Sequence, residues 1–549
     1  MKNSTCRLCI LFGLQLLGSV AGQTVLWSHP ERSAGAELGT AVAGGIDFDR
    51  DGFDDVLAGA PGRGVVLAFS GKTGRRLFAL SGTTPGGAFG IALANVGDVD
   101  RDGSADFAIG ATGAGANAAG SVRVYSGRTR RLLWTWTGAA KSRFGTSVAA
   151  AGDIDGDGSA DVLVGAPSAS HTIRNSGVAR VFSGKTGRVL HTFFGAGSFD
   201  EFGFAVAGGR DVDRDGRPDV IVGAYRNDKS ASDAGMATVY SGRTGRVLFR
   251  TTGNTVLGGH GFSVGMTGDL NGDGAAEVLV GALWDDPAAT DAGSVWVYSG
   301  RTGLPLRRLG GSAAFDGLGT SVANLGDVNG DGIADFAGGA VEAFPPVVGR
   351  TGYVRVWSGK DFRELYTVRA QRGGDWFGRS VAAAGDVNKD GVPDFVSGAP
   401  MSRALAQRGG SCLVVGGGYV ALGANRATLS LTSGGVQLLS LDARPVHAGK
   451  TYWLLGSASR TRPGLAFDRV LLPLNPDAYF NITVVSPNTA LLRSTLGKLN
   501  VAGQAKALFR LPRGLPAGLA GTKLQHAFLV FGVGGVDFAS NPQALTLTR

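Results

Sequence analysis

The chain has little cysteine, and the little it has is badly placed for cross-linking. Cys6 and Cys9 lie inside the first 21 residues, which read as an export signal, so the mature chain keeps only Cys412. An exported chain with one cysteine cannot close an internal disulfide, which excludes a disulfide-stapled scaffold. Histidine is also scarce. The six (His29, His171, His191, His260, His447 and His526) are scattered, and none falls in an H-E-x-x-H or related zinc pattern. No Gly-x-Ser-x-Gly elbow is evident. Past the signal, no apolar run is long enough to cross a bilayer. Glycine is abundant at 92 residues but lacks a G-X-Y period, which excludes collagen.

The signal itself follows from Lys2 and Arg7 ahead of an apolar stretch from Leu8 to Gly18, closed by Ser19-Val20-Ala21. It places the protein in the extracellular space or cell envelope.

What the chain does have is one acidic loop, seven times over. Asp153-Ile154-Asp155-Gly156-Asp157-Gly158-Ser159-Ala160-Asp161 puts carboxylates at positions one, three, five and nine and glycine at six. Four carboxylates so close repel one another unless a cation lies between them. Hard oxygen ligands at this spacing suit Ca²⁺, which takes about six to eight oxygens at roughly 2.3–2.6 Å. The other copies begin at Asp47, Asp98, Asp211, Asp269, Asp327 and Asp386. The ligand carboxylates expected are Asp49, Asp51 and Asp55; Asp100, Asp102 and Asp106; Asp213, Asp215 and Asp219; Asp273 and Glu277; Asp331 and Asp335; and Asp390 and Asp394. Position three becomes Asn271, Asn329 and Asn388 in the last three copies, which removes a charge and predicts weaker sites there. An EF-hand opens the same way but needs a Glu at position twelve and helical flanks. Position twelve here is Ala58, Ile109, Val164, Val222, Val280, Gly338 or Ser397, between short β-type runs.

Loop starts are spaced by 51, 55, 58, 58, 58 and 59 residues, a period of solenoids and propellers. Each unit reads as four strands. In the third these are Phe144–Ala149, Val162–Ala166, Val178–Phe182 and Val189–Phe193. The last unit stops after its third strand, Ser411–Val415, while the mature chain starts with Val25-Leu26-Trp27, which aligns with a fourth strand. Pairing of these two ends would close a ring and hide its open edge. The fold predicted is all-β: a seven-bladed β-propeller over residues 22–422, after a signal over 1–21. A β-sandwich-like domain follows over 423–549, built from alternating segments such as Val436–Leu439, Ala507–Leu511, Tyr479–Val485 and Ala527–Phe531. Asn481-Ile482-Thr483 is a formal glycosylation sequon within one of those predicted strands.

These units resemble the FG-GAP repeat of integrin α-subunit propellers. Phe89-Gly90, Phe144-Gly145, Phe202-Gly203 and Phe377-Gly378 precede the acidic loop, and Gly59-Ala60-Pro61, Gly165-Ala166-Pro167 and Gly398-Ala399-Pro400 follow it. Leu38-Gly39, Leu318-Gly319, Gly223-Ala224-Tyr225 and Gly281-Ala282-Leu283 depart from the pattern. The resemblance implies Ca²⁺ at up to seven loops, with a further ligand from the position-seven carbonyls of Phe53, Ser104, Ser159, Arg217, Ala275, Ile333 and Val392.

Charge is divided sharply. The loops use 25 of the 44 acidic residues, leaving 19 against 51 lysines and arginines in the mature chain. Seven bound Ca²⁺ would carry the mature chain from +7 to +21, which favours anionic partners. Basic turns such as Ser70-Gly71-Lys72-Thr73-Gly74 sit between strands three and four. Their Gly-Lys-Thr is not a phosphate loop, since the required upstream glycine is missing and no helix follows. In a four-stranded meander these turns share a rim with the acidic loops, and partial neutralisation is expected. The opposite face carries the variable loops, where binding specificity concentrates. Tyr225, Trp284, Phe344 and Trp376 are its candidate contact aromatics.

The function expected is a binding or adhesion module for a protein or glycan, monomeric, with no nucleic-acid partner and no catalytic residues. The alternative is a secreted lyase or hydrolase acting on an anionic polysaccharide.

Overall fold

The computed structural model describes residues 25–549 apart from 330, 343–350, 371, 390, 418–421, 425–427, 444–448, 459–464, 468–469, 473, 502–503, 533–534 and 541–542. The export signal, Phe344, Asp390 and His447 therefore lie outside the described residues. The chain forms two compact units, residues 1–418 and 419–549.

The first unit is a seven-bladed propeller. Six four-stranded antiparallel sheets follow one another along the chain, and the seventh joins three strands from the end of the unit to one from its beginning. That last sheet contains Ser380–Gly385, Asp394–Ala399, Ser411–Val415 and, as its fourth strand, Val25–Pro30. The closing pairing is antiparallel, with Val25 opposite Val415 and Pro30 opposite Ser411. The predicted ring closure is present.

Burial follows strand order. The second strand of blade four, Asp219–Ala224, is buried along its whole length. The fourth, Val247–Thr252, alternates and has exposed positions. Inner strands are covered on both faces by neighbouring blades and so read as continuous apolar runs. Outer strands face water and alternate. The first strand of blade three starts at Ser147, later than its periodicity predicts. Phe144 there makes a parallel bridge to Gly120 of the previous blade instead of joining its own sheet.

The two glycines of each repeat meet across blade boundaries. A Cβ on Gly165 of blade three would stand 2.0 Å from the carbonyl oxygen of Gly203 in blade four. Equivalent approaches run from Gly59 to Gly90 at 2.0 Å, Gly223 to Gly261 at 2.1 Å and, across the closure, Gly398 to Gly39 at 1.8 Å. No side chain fits there, so both positions must be glycine. Serines of the first strands strengthen the contact. Ser147 Oγ donates to Gly203 O at 2.8 Å, and Ser380 Oγ to Gly39 O at 2.9 Å. The phenylalanine before each such glycine fills the core between blades. Leu38 and Leu318 are equally buried in its place.

Blade five uses histidine there. His260 is buried, with Nε2 3.0 Å from Thr251 Oγ1 and 3.4 Å from the Tyr298 hydroxyl. Its Nδ1 has no hydrogen-bond partner among the described residues.

The second unit is mostly β, with a four-stranded sheet and a larger one built around Thr451–Ser457 and Lys523–Gly532. Leu439, Leu441 and Ala507 of the first sheet pack against Tyr452, Leu454, Phe528 and Val530 of the second, as in a sandwich. One predicted strand is corrected: Ala478–Val485 is an α-helix. The β-branched run Ile482-Thr483-Val484-Val485 argues for a strand, but capping and packing prevail. Asp477 accepts the Phe480 amide at 2.8 Å as N-cap, and Phe480 and Thr483, three apart, share the buried face. Pro487 follows the helix end, and the sequon Asn481 is exposed on the helix.

Two outcomes test this packing. Gly223→Ala should lower stability by about 2 kcal/mol or more through overpacking against backbone. Gly518→Ala, with open space around its Cα, should leave the denaturation midpoint unchanged. The second concerns pH. Burial lowers the pKa of His260 to about 4. The folded state thus favours the neutral ring, and the stability present above pH 6.5 is lost as pH falls towards 4. His260→Phe should therefore stabilise the protein by about 2 kcal/mol more at pH 5 than at pH 7.5. Denaturant unfolding at the two pH values measures the difference, and equal gains would contradict it.

Candidate functional site

Each acidic loop joins the first and second strands of its blade. Its carboxylates are drawn together by the turn itself. In the first loop, Asp47 Oδ2 accepts the Gly52 amide at 2.9 Å, Asp49 Oδ1 the Asp51 amide at 3.2 Å, and Asp51 Oδ1 the Phe53 amide at 3.0 Å. The first and third of these contacts recur in the second, third and fourth loops. Position six turns through positive φ, as at Gly52 (81°) and Gly216 (83°), which glycine alone adopts freely.

Among the described residues, five loops bring three carboxylates within 4.8 Å of one another: Asp47, Asp49 and Asp55; Asp98, Asp100 and Asp106; Asp153, Asp155 and Asp161; Asp211, Asp213 and Asp219; and Asp269, Asp273 and Glu277. The first four use positions one, three and nine. The fifth uses one, five and nine, because its third residue is Asn271. In the sixth loop Asp331 N donates to Asp327 Oδ1 at 3.1 Å and to Asn329 Oδ1 at 2.9 Å. In the seventh, Gly391 N donates to Asp386 Oδ2 at 2.9 Å.

Position nine has a role that spacing alone does not reveal. Its carboxylate is wholly buried and ties the acidic loop to the basic turn of the same blade. Asp55 accepts Phe48 N at 2.8 Å and Gly71 N at 2.9 Å. Asp106, Asp161, Asp219 and Asp335 likewise accept the amides of Gly127, Gly184, Gly242 and Gly359 at 2.9–3.0 Å. In blade seven, which has no basic turn, Asp394 accepts the amide of Gly417 just after the third strand at 2.8 Å. The turn glycine is obligatory, since a Cβ on Gly71 would meet Asp54 O at 1.8 Å. Glu277 of blade five, one methylene longer, accepts from Leu270 N and from Asn271 Nδ2. The recurring Ser-Gly in the basic turn was the sequence signal for this clamp.

Burial pushes the carboxyls of Asp55, Asp161, Asp219 and Glu277 up to about 7, and those of Asp106 and Asp335 up to about 6. Backbone amides oppose the shift without cancelling it. Asp47 Oδ1 is buried with no hydrogen-bond partner among the described residues. Clustered acidic oxygens, one buried and others exposed, form a donor set that fits a hard divalent cation.

The basic turns lie on this rim, as their place in the meander predicts. Lys72 Nζ is 3.4 Å from Asp51, Arg128 Nη1 donates to Asp102 O at 2.8 Å, and Arg243 Nη1 to Asp215 O at 3.4 Å. Such exposed pairs stabilise weakly. They do turn the cations onto the acidic loops and away from a polyanion.

At the other end of the blades, Tyr225 and Trp284 begin the loops after the second strands of blades four and five. They meet Phe204 and Phe262 in one cluster. Ring centroids are 4.6 Å apart for Phe204–Tyr225, 5.0 Å for Phe204–Phe262 and 5.7 Å for Phe262–Trp284. All four rings are half-buried. Sequence reading named Tyr225 and Trp284 and missed Phe204 and Phe262, which follow the Phe-Gly and His-Gly pairs where other blades carry Thr, Ile or Arg. Trp376 lies apart, half-buried in the loop before the first strand of blade seven.

Family comparison agrees with this architecture. A model described as FG-GAP repeat matches residues 38–75, 144–189 and 377–422, and one described as FG-GAP-like repeat matches 211–280. Integrin alpha-V of Gallus gallus is 30% identical over 240 residues, 40% of this chain and 22% of that protein. Integrin alpha pat-2 of Caenorhabditis briggsae is 35% identical over 229 residues, 35% and 18% of the two chains. Integrin alpha-5 of Xenopus laevis is 32% identical over 228 residues, 37% and 21%. The chain spans about a fifth of the length of these curated relatives. It carries FG-GAP repeats and resembles the integrin α-subunit propeller.

The two roles of the loop carboxylates separate by substitution. Asp106→Asn replaces a buried double acceptor by a group that offers one acceptor and a misplaced donor. It should cost about 2–3 kcal/mol whether or not metal is present. Asp100→Asn keeps an acceptor for the Asp102 amide and should leave the metal-free protein unchanged. Chemical denaturation of both variants in chelator measures this.

Proposed function

We propose that the chain is an exported propeller that binds Ca²⁺ in its seven acidic loops and presents its opposite face as a binding or adhesion surface for a protein or glycan. In this reading the carboxylates and asparagines at positions one, three, five and nine, with the position-seven carbonyls, hold one ion per blade. Residues 1–21 direct export, 22–422 form the propeller and 423–549 a separate β domain.

The observation that carries the binding surface is the aromatic cluster of blades four and five. Four half-buried rings stand together at the variable-loop end. Around them the connections into blades four and five expose Phe199 (47%), Val256 (61%) and Leu257 (58%). The guanidinium of Arg226 lies 5.8 Å from the Tyr225 ring. Apolar side chains gathered in loops and rimmed by charge mark a contact surface. The resemblance to integrin α-subunits supports a protein ligand as the first class to test.

Calcium acts here through the scaffold. An ion in each loop neutralises the acids that burial disfavours and locks the hairpin between the first and second strands. At tenfold excess over Kd, each site would contribute about 1.4 kcal/mol to folding, on the order of 10 kcal/mol for seven independent sites.

The mature protein should bind close to seven Ca²⁺ by equilibrium dialysis and melt at a markedly lower temperature in EGTA. A chain that binds no calcium and melts alike in both would refute the metal reading. For the surface, immobilised protein would be tested against purified extracellular-matrix proteins and a glycan array. The Tyr225→Ala/Trp284→Ala double variant should bind whichever ligand is found at least tenfold more weakly, with little change in its calcium-saturated melting temperature. Retained binding would move the contact elsewhere.

A further inference from the structure

Charge count alone ranks the blade-three loop, with Asp153, Asp155, Asp157 and Asp161, above the three asparagine-containing loops. Its neighbours change that ranking. Arg101, at position four of the blade-two loop, donates Nε to Ser159 Oγ at 3.1 Å and holds Nη2 3.5 Å from Asp157 Oδ1. Arg217, at position seven of the blade-four loop, places Nη1 4.0 Å from Asp153 Oδ2. One guanidinium thus reaches the same loop from each side.

Both sit on seats made by glycine. A Cβ on Gly156 would lie 1.8 Å from Arg217 Nη2, and one on Gly158 would lie 2.6 Å from Arg101 Nη2. Position four is Arg50, Arg101, Arg214 or Lys389 in blades one, two, four and seven, so no equivalent seat exists there. Gly272 holds that position in blade five, but nothing lies within 4 Å of its ideal Cβ. Blade six also carries glycine at position four, Gly330, which lies outside the described residues. Among the described residues the filled position-four seat is therefore found in blade three. The position-six seat recurs, with a Cβ on Gly52 2.9 Å from Lys389 Nζ and one on Gly274 3.2 Å from the Arg214 guanidinium.

We propose that Arg101 and Arg217 are built-in counter-ions of the blade-three loop. They hold it in shape without metal and lower its calcium affinity to the range of the asparagine-containing loops. The inference rests on the calcium reading above. Two fixed cations beside the ligand carboxylates repel a divalent ion and compete for the same oxygens. At this partly exposed rim, where charge interactions are screened, their joint effect is about tenfold in affinity. Calcium entering this loop must also loosen contacts to both neighbouring blades. Blade three is then the readily exchanging site among those with four carboxylates.

Hydrogen exchange with mass spectrometry reads each loop separately. The calcium-depleted mature protein would be titrated with free Ca²⁺, following peptides that cover residues 150–165 and 45–60. In Arg101→Gln/Arg217→Gln, the midpoint of protection at 150–165 should fall about tenfold while that at 45–60, the blade-one loop, stays in place. Without calcium, the same blade-three peptide should exchange faster than in the parent. Arg101→Lys/Arg217→Lys, which keeps the charge, should retain the weak midpoint. Calcium-saturated melting temperatures establish that the variants fold. Protection at both loops with an unshifted blade-three midpoint would overturn this inference and leave the calcium reading standing. Absence of calcium-dependent protection at every loop would overturn both.

Discussion

The propeller depends on one contact: backbone against backbone at the seam between neighbouring blades. The glycine after the second-strand apolar run of one blade lies against the carbonyl of the Phe-Gly glycine in the next. The approach is so close that a single methyl group would be about 2 Å from oxygen, as at Gly165 and Gly203. Blades at this spacing cover both faces of one another's inner strands, which is why those strands are apolar throughout. The same spacing brings the loops of adjacent blades within side-chain reach. Arg101 meets Asp157, and Lys389 of blade seven lies 4.5 Å from the Phe53 ring of blade one. The electrostatics of the rim are therefore a consequence of close packing in the core.

That rim concentrates acid where water is partly excluded, and the protein answers from three directions. Backbone amides of the acidic loop and the basic turn point at the position-nine carboxylate. The turn cation Lys72 leans onto Asp51 of its own blade, Arg128 donates to the Asp102 carbonyl of its own blade's loop, and neighbouring guanidiniums cross the seam. These partners reduce the charge but do not remove it, since burial still holds most position-nine carboxyls far above the ordinary range. Among the described residues, five loops gather acids that could hold a divalent ion to complete the balance. The basic surplus of the chain, which suggests anionic partners when counted over the sequence, is partly spent inside this arrangement.

Repetition made most of this legible in advance. One acidic loop is ambiguous; seven in register, each followed by a short β run, define blade number, strand order and the ends that must pair. The side-chain clamp from position nine was less visible. Its partner is a backbone amide 16 to 24 residues later, at Gly71 or Gly359, and an amide has no sequence identity. The helix Ala478–Val485 was misread for a different reason. Intrinsic preference of Ile482 to Val485 favours a strand, and only the N-cap of Asp477 and the burial of Phe480 and Thr483 decide otherwise. Outside the repeats there was no second copy to outvote the local preference.

Departures from the repeat carry as much information as the repeat itself, and the ones that add aromatic rings gather in blades four and five. There the proline after Gly-Ala is replaced by Tyr225 and Leu283, Phe204 and Phe262 stand two residues after the first aromatic or histidine of the motif, and Trp284 follows. These substitutions would be unrelated if read along the chain. In the fold they converge, because the loop after a second strand and the entry to a first strand meet at the same end of the blades. The rings pack against one another in tilted and edge-on pairs, from Phe204–Tyr225 at 4.6 Å to Tyr225–Trp284 at 6.2 Å. Blade five departs at the rim and in the core as well, with Glu277 in place of aspartate and His260 in place of phenylalanine. A scaffold fixed by seven identical seams can tolerate such local change without losing the ring. That tolerance leaves one sector free to vary while the others hold the ring together.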